Sequence, residues 1–360
     1  NFAKNLPEQG ILSIGRIPPA SISTVKKLAK DLAWPVFADI ASGLRLGPEF
    51  PNRVTYYDQV LIDSDFLKSH PPQKVIHLGF APTSKRWLGE MEKLPADTLV
   101  WIKEGYSRLD PTNRFRSVFE TSVEDFCSEM ISKLKKRKKS EWTIHWLDHS
   151  KKIEKLMEQF VTNHPLFSEM KLVRTLTKII PESHALFLGN SLPVREVDFY
   201  GSGKGSEVKV GLNRGASGID GLVASSAGYS KGLNQPLTLL LGDLSLLHDL
   251  NSLKLISESP KPIVLVVLNN HGGGIFSFLP VSEHKDIFES YFSTPHSLEF
   301  KDAAKMFKLP YFNPESPEEF KSIYLKQASA DKSCIIEVNT LKKDNIRVQK
   351  EWTEFLHQNR

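Results

Sequence analysis

The sequence predicts an α/β fold made of two doubly wound parallel-sheet domains, and three observations carry that expectation. Short apolar runs alternate with helical stretches along both halves of the chain, a pattern that implies parallel strands covered on both faces. In the second half, polar residues punctuate the carboxyl ends of the apolar runs. Between the halves stands one dense charge run, "KLKKRKKSEW", starting at Lys133.

Element by element, "GILSIG" reads as a strand, and "SISTVKKLAKDLA" as a helix capped by Ser21 or Ser23. "WPVFADI" is the next strand and "YYDQVLIDSDFLKSH" the next helix. "QKVIHLG" and "DTLVWIK" are strands separated by the helical "SKRWLGEMEKL". "GRIPP" follows the first strand where a dinucleotide site would need G-x-G-x-x-G, so residues 1–140 are expected to be Rossmann-like without a dinucleotide motif. Residues 141–360 form the second domain. It opens with two helices, "HWLDHSKKIEKLMEQFVTN" and a stretch from about Ser168 to Ile180. The strand "HALFLGNS" follows, then a short strand, Gly-rich turn and small-residue helix in "VKVGLNRGASGIDGLVASSAGYSKG". "PLTLLLGD", the helix "LHDLNSLKLISES" and "PIVLVVLNN" form one crossover unit; a helix near "EFKDAAKMFK" and the strand "SCIIEVN" complete the order.

Composition narrows the function classes. Over 360 residues the net charge of +5 suits small acidic substrates and is too weak to indicate nucleic acid. The Lys-rich run has no interleaved aromatics and reads as a solvated helix end and linker. Arg16, Arg108, Arg114 and Arg116 read as solvated surface charge, with metabolite binding as the alternative. Cys127 and Cys334 match no metal or redox spacing and are expected to be reduced thiols. No apolar run approaches the ~18 residues of a bilayer span, and the N-terminus has no signal-like apolar region. It also lacks an initiator methionine, so the chain is expected to begin inside a longer protein.

The chemistry concentrates in "LLLGDLSLLHDLNSLKLISESPKPIVLVVLNNHGGGIF". Asp243 closes one strand and Asn270 closes the next, 27 residues on, which fits a single β-α-β crossover. Ligands bind outside the carboxyl ends of parallel strands, so both side chains can face one crevice. A carboxylate, an amide oxygen and a nearby backbone carbonyl make an all-oxygen set suited to Mg²⁺. Glycines 272 to 274 allow close approach to an anion, and the Leu244-Ser245 turn opens a helix whose first amides can meet phosphate. Taken alone, Asp243 at a strand end reads more readily as a helix cap; the Asn-Asn-x-Gly-Gly partner at this spacing favours the metal.

Gly-Asp followed 25 to 30 residues later by Asn-Asn resembles the thiamine-diphosphate binding motif. "GNSLPVR", "NRGASGIDG", "GDLSLLHDLN" and "NNHGGGIFSFLP" together resemble one family of such enzymes, the 2-succinyl-5-enolpyruvyl-6-hydroxy-3-cyclohexene-1-carboxylate synthases of menaquinone biosynthesis. That family shares the departure from Gly-Asp-Gly to Gly-Asp-Leu-Ser. The likeness is dense from Gly189 to Pro280 and thin before Lys133. It implies thiamine diphosphate with Mg²⁺, or Mn²⁺ in its place, as cofactors. Asp243, Asn270 and the Gly272 carbonyl would hold the metal. Gly242, Leu244 and Ser245 would lie at the diphosphate, while Ile275 and Phe276 would border cofactor and substrate. Ile219 would keep thiamine bent, and Ser191, Arg195 and Arg214 would face the acids of 2-oxoglutarate and isochorismate. Guanidinium binds carboxylate in a bidentate fork, which supports the two arginines independently.

The implied reaction is a carboligation: 2-oxoglutarate loses CO₂, and the remaining four-carbon unit adds to isochorismate by conjugate addition. Residues 1–140 would be the central domain and 141–360 the diphosphate- and Mg²⁺-binding domain. No stretch of the 360 residues resembles the family's pyrimidine-binding domain with its glutamate, so these residues alone are expected to be inactive and to bind cofactor weakly. The likeness also implies a homodimer or homotetramer through that domain, in the cytoplasm, or in a plastid for a photosynthetic eukaryote, with neither nucleic acid nor membrane as partner. The alternatives are another thiamine-diphosphate decarboxylase or synthase, and a non-catalytic partner subunit. "HGGG" at 271 to 274 looks like an esterase oxyanion turn, but "GNSLP" and "GASGI" both fail the G-x-S-x-G nucleophile pattern. "GSGKGS" at 201 to 206 fails the P-loop because position 205 is Gly. His248 and His271 read as hydrogen-bonded or solvated rather than as general bases.

Overall fold

In the computed structural model, the described residues are 2–47, 50–105, 110 and 112–359. The chain divides into two compact units, Asn1–Gln159 with Leu356–Arg360, and Phe160–Phe355. The division falls inside the helix Glu141–Asn163, later than the charge run suggests.

The first unit holds β1 (Gly10–Ile14), β2 (Val36–Ala38), β3 (Lys74–Leu78), β4 (Leu99–Lys103) and β5 (Ser117–Glu120). They form one sheet in the order β2-β1-β3-β4-β5, with every pairing parallel. Helix Ile22–Leu32 buries Val25, Leu28, Ala29 and Leu32, one apolar stripe at three- and four-residue spacing, in the core that contains Leu12 and Ile76. Its predicted serine cap is absent: the Ser21 hydroxyl donates back to the Pro18 carbonyl at 3.0 Å, and Ser23 lies within the helix. The single helix expected over 56–70 is two, Tyr57–Val60 and Ser64–Ser69, because the Asp63 carboxylate caps Asp65 and Phe66. Arg16 lies 4.1 Å over the Phe80 ring and lines a cavity of about 300 Å³ with Trp101 and Lys103. Arg114 donates to the Leu94 carbonyl at 3.0 Å, so neither is simple surface charge; Arg108 lies outside the described residues.

The second unit holds β6 (Ala185–Leu188), β7 (Val210–Leu212), β8 (Leu237–Gly242), β9 (Ile263–Asn269), β10 (Tyr311–Phe312) and β11 (Cys334–Asn339). Their order is β10-β11-β9-β8-β6-β7, again all parallel. All seven residues of β9 are buried, as expected for a strand covered on both faces. Each Val, Leu or Ile so buried contributes roughly 1.5–3 kcal/mol. That fixes the register Gly242↔Leu268, which sets Asp243 beside the end of β9. The chain leaves β6 toward β7 on one side and returns as β8 on the other, so the sheet reverses direction between β6 and β8. A crevice opens outside the carboxyl ends at such a point. The two apparent phosphate and oxyanion motifs fall elsewhere in character: 201–206 is a loop after helix Leu192–Tyr200, and 271–274 leads into the 3₁₀ turn Gly274–Phe278. Both cysteines are free and buried, and burial pushes each thiol up to about 12. Among the described residues no helix is long and apolar enough to cross a membrane.

Candidate functional site

Four loops meet the carboxyl edge of the second sheet, and the sequence-selected residues are distributed over all four. Ser191 and Arg195 follow β6, Arg214 and Ile219 follow β7, Gly242 to Ser245 follow β8, and Asn270 to Phe276 follow β9. Gly189 lets β6 and β8 close on each other, since a Cβ there would lie 2.8 Å from that of Leu241.

Asp243 is 2% exposed. Its Oδ1 accepts from the Leu244 amide at 2.7 Å. Its Oδ2 accepts from the Gly272 amide at 2.8 Å and from His296 Nε2 at 3.1 Å. Burial raises its carboxyl above the ordinary range, against the pull of the Gly272 and Leu244 amides and of His296. Helix Asp243–His248 therefore starts with Asp243 inside its first turn, and the carboxylate draws the β9 loop toward β8. Gly272 is irreplaceable there: its φ is +138°, and a Cβ would stand 2.3 Å from the Ser293 carbonyl.

The two asparagines do different work. Asn269 Nδ2 donates to Glu337 Oε1 at 2.6 Å and to the Leu298 carbonyl at 2.9 Å, so this side chain ties β9 to β11 and to the following loop. Asn270 Nδ2 donates to Glu169 Oε1 at 2.9 Å, while its Oδ1 is buried with no hydrogen-bond partner among the described residues. A buried amide oxygen left unpaired costs about 1–3 kcal/mol unless something satisfies it. A cation held by Asn270 Oδ1, Asp243 and the Gly272 carbonyl would do so, and the all-oxygen set fits Mg²⁺. Among the described residues no three His, Cys, Asp or Glu side chains gather as a metal site, which leaves this mixed set with one carboxylate.

Sequence reasoning missed a layer behind these residues. Glu169, at the start of helix Glu169–Ile179, is fully buried and contacts both Asn270 and Thr340. Glu196 lies beside it; burial, with the Glu169 carboxyl next to it, raises Glu196 well above the carboxylate range, and burial raises Glu169 as well. Asn190 Nδ2 donates to the carbonyls of Asn213 and Gly218 at 2.8 and 2.6 Å, pinning the loop that carries Arg214 and Ile219 to the end of β6. Asp249 accepts from the amides of Val223 and Ala224 at 2.8 and 3.0 Å and so caps helix Leu222–Leu233. One local signal was available for Asn190, since it sits in the quoted "GNS"; Glu169 has none, lying 101 residues from its partner.

Ser191 adopts φ +72° and ψ −128°, a strained conformation for a residue with a side chain, and its carbonyl accepts from Arg195 Nη1 at 2.5 Å. Arg195 has its basicity lowered by burial and by the neighbouring Arg214 guanidinium, which brings the two arginines into one field. Two cations so placed favour an anion between them. Ile219, Ile275 and Phe276 are half-buried, and the Phe276 ring meets Phe292 edge-on at 5.6 Å. His248 is exposed; His271 is half-buried at φ +60°.

Comparison with known proteins completes the description. The family described as the middle domain of thiamine pyrophosphate matches residues 2–188. A 2-succinyl-5-enolpyruvyl-6-hydroxy-3-cyclohexene-1-carboxylate synthase of Rubrobacter xylanophilus is 37% identical over 96% of this chain and 60% of its own length. The enzyme of the same name from Salinibacter ruber is 36% identical over 95% of the chain and 58% of its own length. That of Chlorobium phaeobacteroides is 36% identical over 89% and 55%. The chain thus spans under two thirds of the length of these relatives.

Proposed function

We propose, from the premise that this chain belongs to the thiamine pyrophosphate enzyme family whose middle domain it matches over residues 2–188, that it carries the cation and diphosphate site of a carboligase. The reaction would join decarboxylated 2-oxoglutarate to isochorismate, as the motif resemblance implies, and the relatives above carry the name 2-succinyl-5-enolpyruvyl-6-hydroxy-3-cyclohexene-1-carboxylate synthase. One observation carries the reading: Asp243 and Asn270 close adjacent parallel strands, with the Asn270 Oδ1 buried and unpaired.

In this reading Asp243, Asn270 Oδ1 and the Gly272 carbonyl hold Mg²⁺, or Mn²⁺ in its place. Leu244 and Ser245 lie at the diphosphate. When bound, thiamine diphosphate supplies the electron sink that decarboxylation of a 2-oxoacid requires. The chain's own residues bind and orient. Arg195 and Arg214 hold substrate carboxylates, Ser191 presents its hydroxyl from a strained backbone, and Ile219, Ile275 and Phe276 bound the apolar part of the pocket. The Asp243–His296 contact closes the floor of the site on the β9 side. A homodimer or homotetramer in the cytoplasm belongs to the same proposal.

The test is calorimetric titration of thiamine diphosphate with and without Mg²⁺. Binding should require Mg²⁺ and fall at least about tenfold in Asp243→Ala, the loss of one charged ligand. Unchanged affinity without Mg²⁺, or in that variant, would refute the site. For the reaction, Arg195→Ala and Arg214→Ala in the whole protein should cut product formation from 2-oxoglutarate and isochorismate by about 10²-fold. Equal turnover of a neutral 2-oxoacid by wild type and both variants would point instead to a different thiamine-diphosphate decarboxylase.

A further inference from the structure

An asparagine amide has two edges of nearly the same shape, and only one of them binds a cation. Its oxygen is a ligand for Mg²⁺, whereas its NH₂ repels it. Something must therefore decide which way the Asn270 side chain faces, and the structure contains a complete chain of hydrogen bonds that does so.

The chain starts from a proton whose position is not in doubt, the backbone N–H of Glu169. It donates to Asn345 Oδ1 at 3.1 Å, which fixes the orientation of the Asn345 amide. Asn345 Nδ2 therefore faces Thr340 Oγ1, to which it donates at 3.1 Å. With its oxygen accepting from Asn345, the Thr340 hydroxyl directs its single proton onward to Glu169 Oε1, 3.1 Å away. That carboxyl oxygen is thus an acceptor, and it takes the Nδ2 of Asn270 at 2.9 Å. Asn270 Oδ1 is left pointing away, buried and unpaired. The Thr340 amide also donates to the Asn269 carbonyl at 2.9 Å, so the network is anchored to the β9 backbone at its far end. Reversing the Asn270 amide would set its oxygen against Glu169 Oε1 inside a buried pocket, with no donor to replace the lost one.

We propose that Glu169 is a positioning residue for the cation site: through Thr340 and Asn345, it fixes the oxygen edge of Asn270 toward the metal. The inference rests on the cation-site reading above. Glu169 touches neither metal nor substrate in this account and acts only through Asn270.

The experiment is titration of the chain with Mn²⁺ in saturating thiamine diphosphate, free Mn²⁺ being read by electron paramagnetic resonance. Four variants are compared: Glu169→Met, Asn270→Asp, both together, and Asp243→Asn. Methionine is close to glutamate in length but offers Asn270 no acceptor, so neither edge of the Asn270 amide is held; glutamine would not serve, because Thr340 would keep its oxygen where Glu169 Oε1 lies. Glu169→Met should weaken Mn²⁺ binding about ten- to a hundredfold, the usual effect of losing a partner of a metal ligand. In the Asn270→Asp background the ligand has oxygens on both edges, orientation no longer matters, and the same change should cost less than about twofold. A merely structural role for Glu169 would carry the same loss in both backgrounds, and that result, or no loss in either, overturns the proposal. If wild type and Asp243→Asn bind Mn²⁺ alike, the cation site itself is misread, a separate outcome. A second measurement needs no change at Glu169. In ¹⁵N spectra of wild type, with the resonance assigned by its disappearance in Asn270→Asp, the Asn270 side-chain amide protons should exchange slowly with and without Mg²⁺. Exchange as fast as that of exposed asparagines overturns the proposal even if Glu169→Met does not fold.

Discussion

His77 shows how one buried side chain sets a pH response. It is 1% exposed on β3; its Nε2–H donates to the Phe80 carbonyl at 2.8 Å and its Nδ1 accepts from Ser13 at 2.9 Å. Ser13 in turn accepts from Trp87 Nε1 at 2.9 Å, so the neutral ring has a partner at each nitrogen. Burial lowers its pKa from 6.5 to about 4, with the Phe80 carbonyl and Asp110 pulling the other way. Between those values the unfolded chain takes up a proton that the folded chain refuses. Stability therefore rises with pH across that window and is lost on acidification from about 6.5 to 4, by on the order of 3 kcal/mol. Urea unfolding at pH 7 and pH 4.5 should show the loss, and His77→Gln should remove most of it. An equal pH slope in that variant would refute the assignment.

Elements were legible where they are long and apolar, and illegible where a distant partner shapes them. β9 could be read from "PIVLVVLNN" because burial on both faces demands an unbroken apolar run, and β3 from "QKVIHLG", where only His77 interrupts the apolar residues. β5 and β10, at four and two residues, are too short to establish any period. The helices Pro317–Ala328 and Lys342–Gln358 were also missed. The single helix expected over "LHDLNSLKLISES" is instead a succession of Asp243–His248, Leu250–Ser252 and Leu253–Ser257. Its break lies at Asp249, whose carboxylate is committed to amides 25 and 26 residues upstream, a demand no local window contains. The site divides along the same line: the residues at strand ends were readable by spacing, but Glu169, Asn190 and Thr340 act only through partners brought by the fold. Asp249→Ala should leave the Val223 and Ala224 amides unpaired and cost about 1–3 kcal/mol. Calorimetry should show a lower melting temperature, by about 2–4 °C per kcal/mol. It should also weaken thiamine diphosphate, because the freed helix start adjoins the loop bearing Ile219. Unchanged melting would show that the cap is dispensable.

At the scale of the whole molecule, each compact unit has its own parallel sheet and its own buried cluster, which predicts two unfolding transitions rather than one. The two should respond to different variables. Acid should lower the transition of the unit that contains His77. Thiamine diphosphate with Mg²⁺ should raise that of Phe160–Phe355, by about 2.7 kcal/mol at a hundredfold excess over Kd. Equal movement of all the unfolding heat under both treatments would mean that the chain unfolds as a single cooperative unit.

The brevity of the outermost strands has a consequence for colloidal behaviour. β2 and β7 have three residues each and β10 has two, too little open ladder for a second chain to extend. β5 is the longest edge at four residues; all four are exposed, Val118 and Phe119 among them, and the nearest charge pair is Lys103 with Glu120 at its end. Strand-to-strand aggregation of the folded protein should therefore begin at β5. A lysine at Val118 is the smallest change expected to slow it.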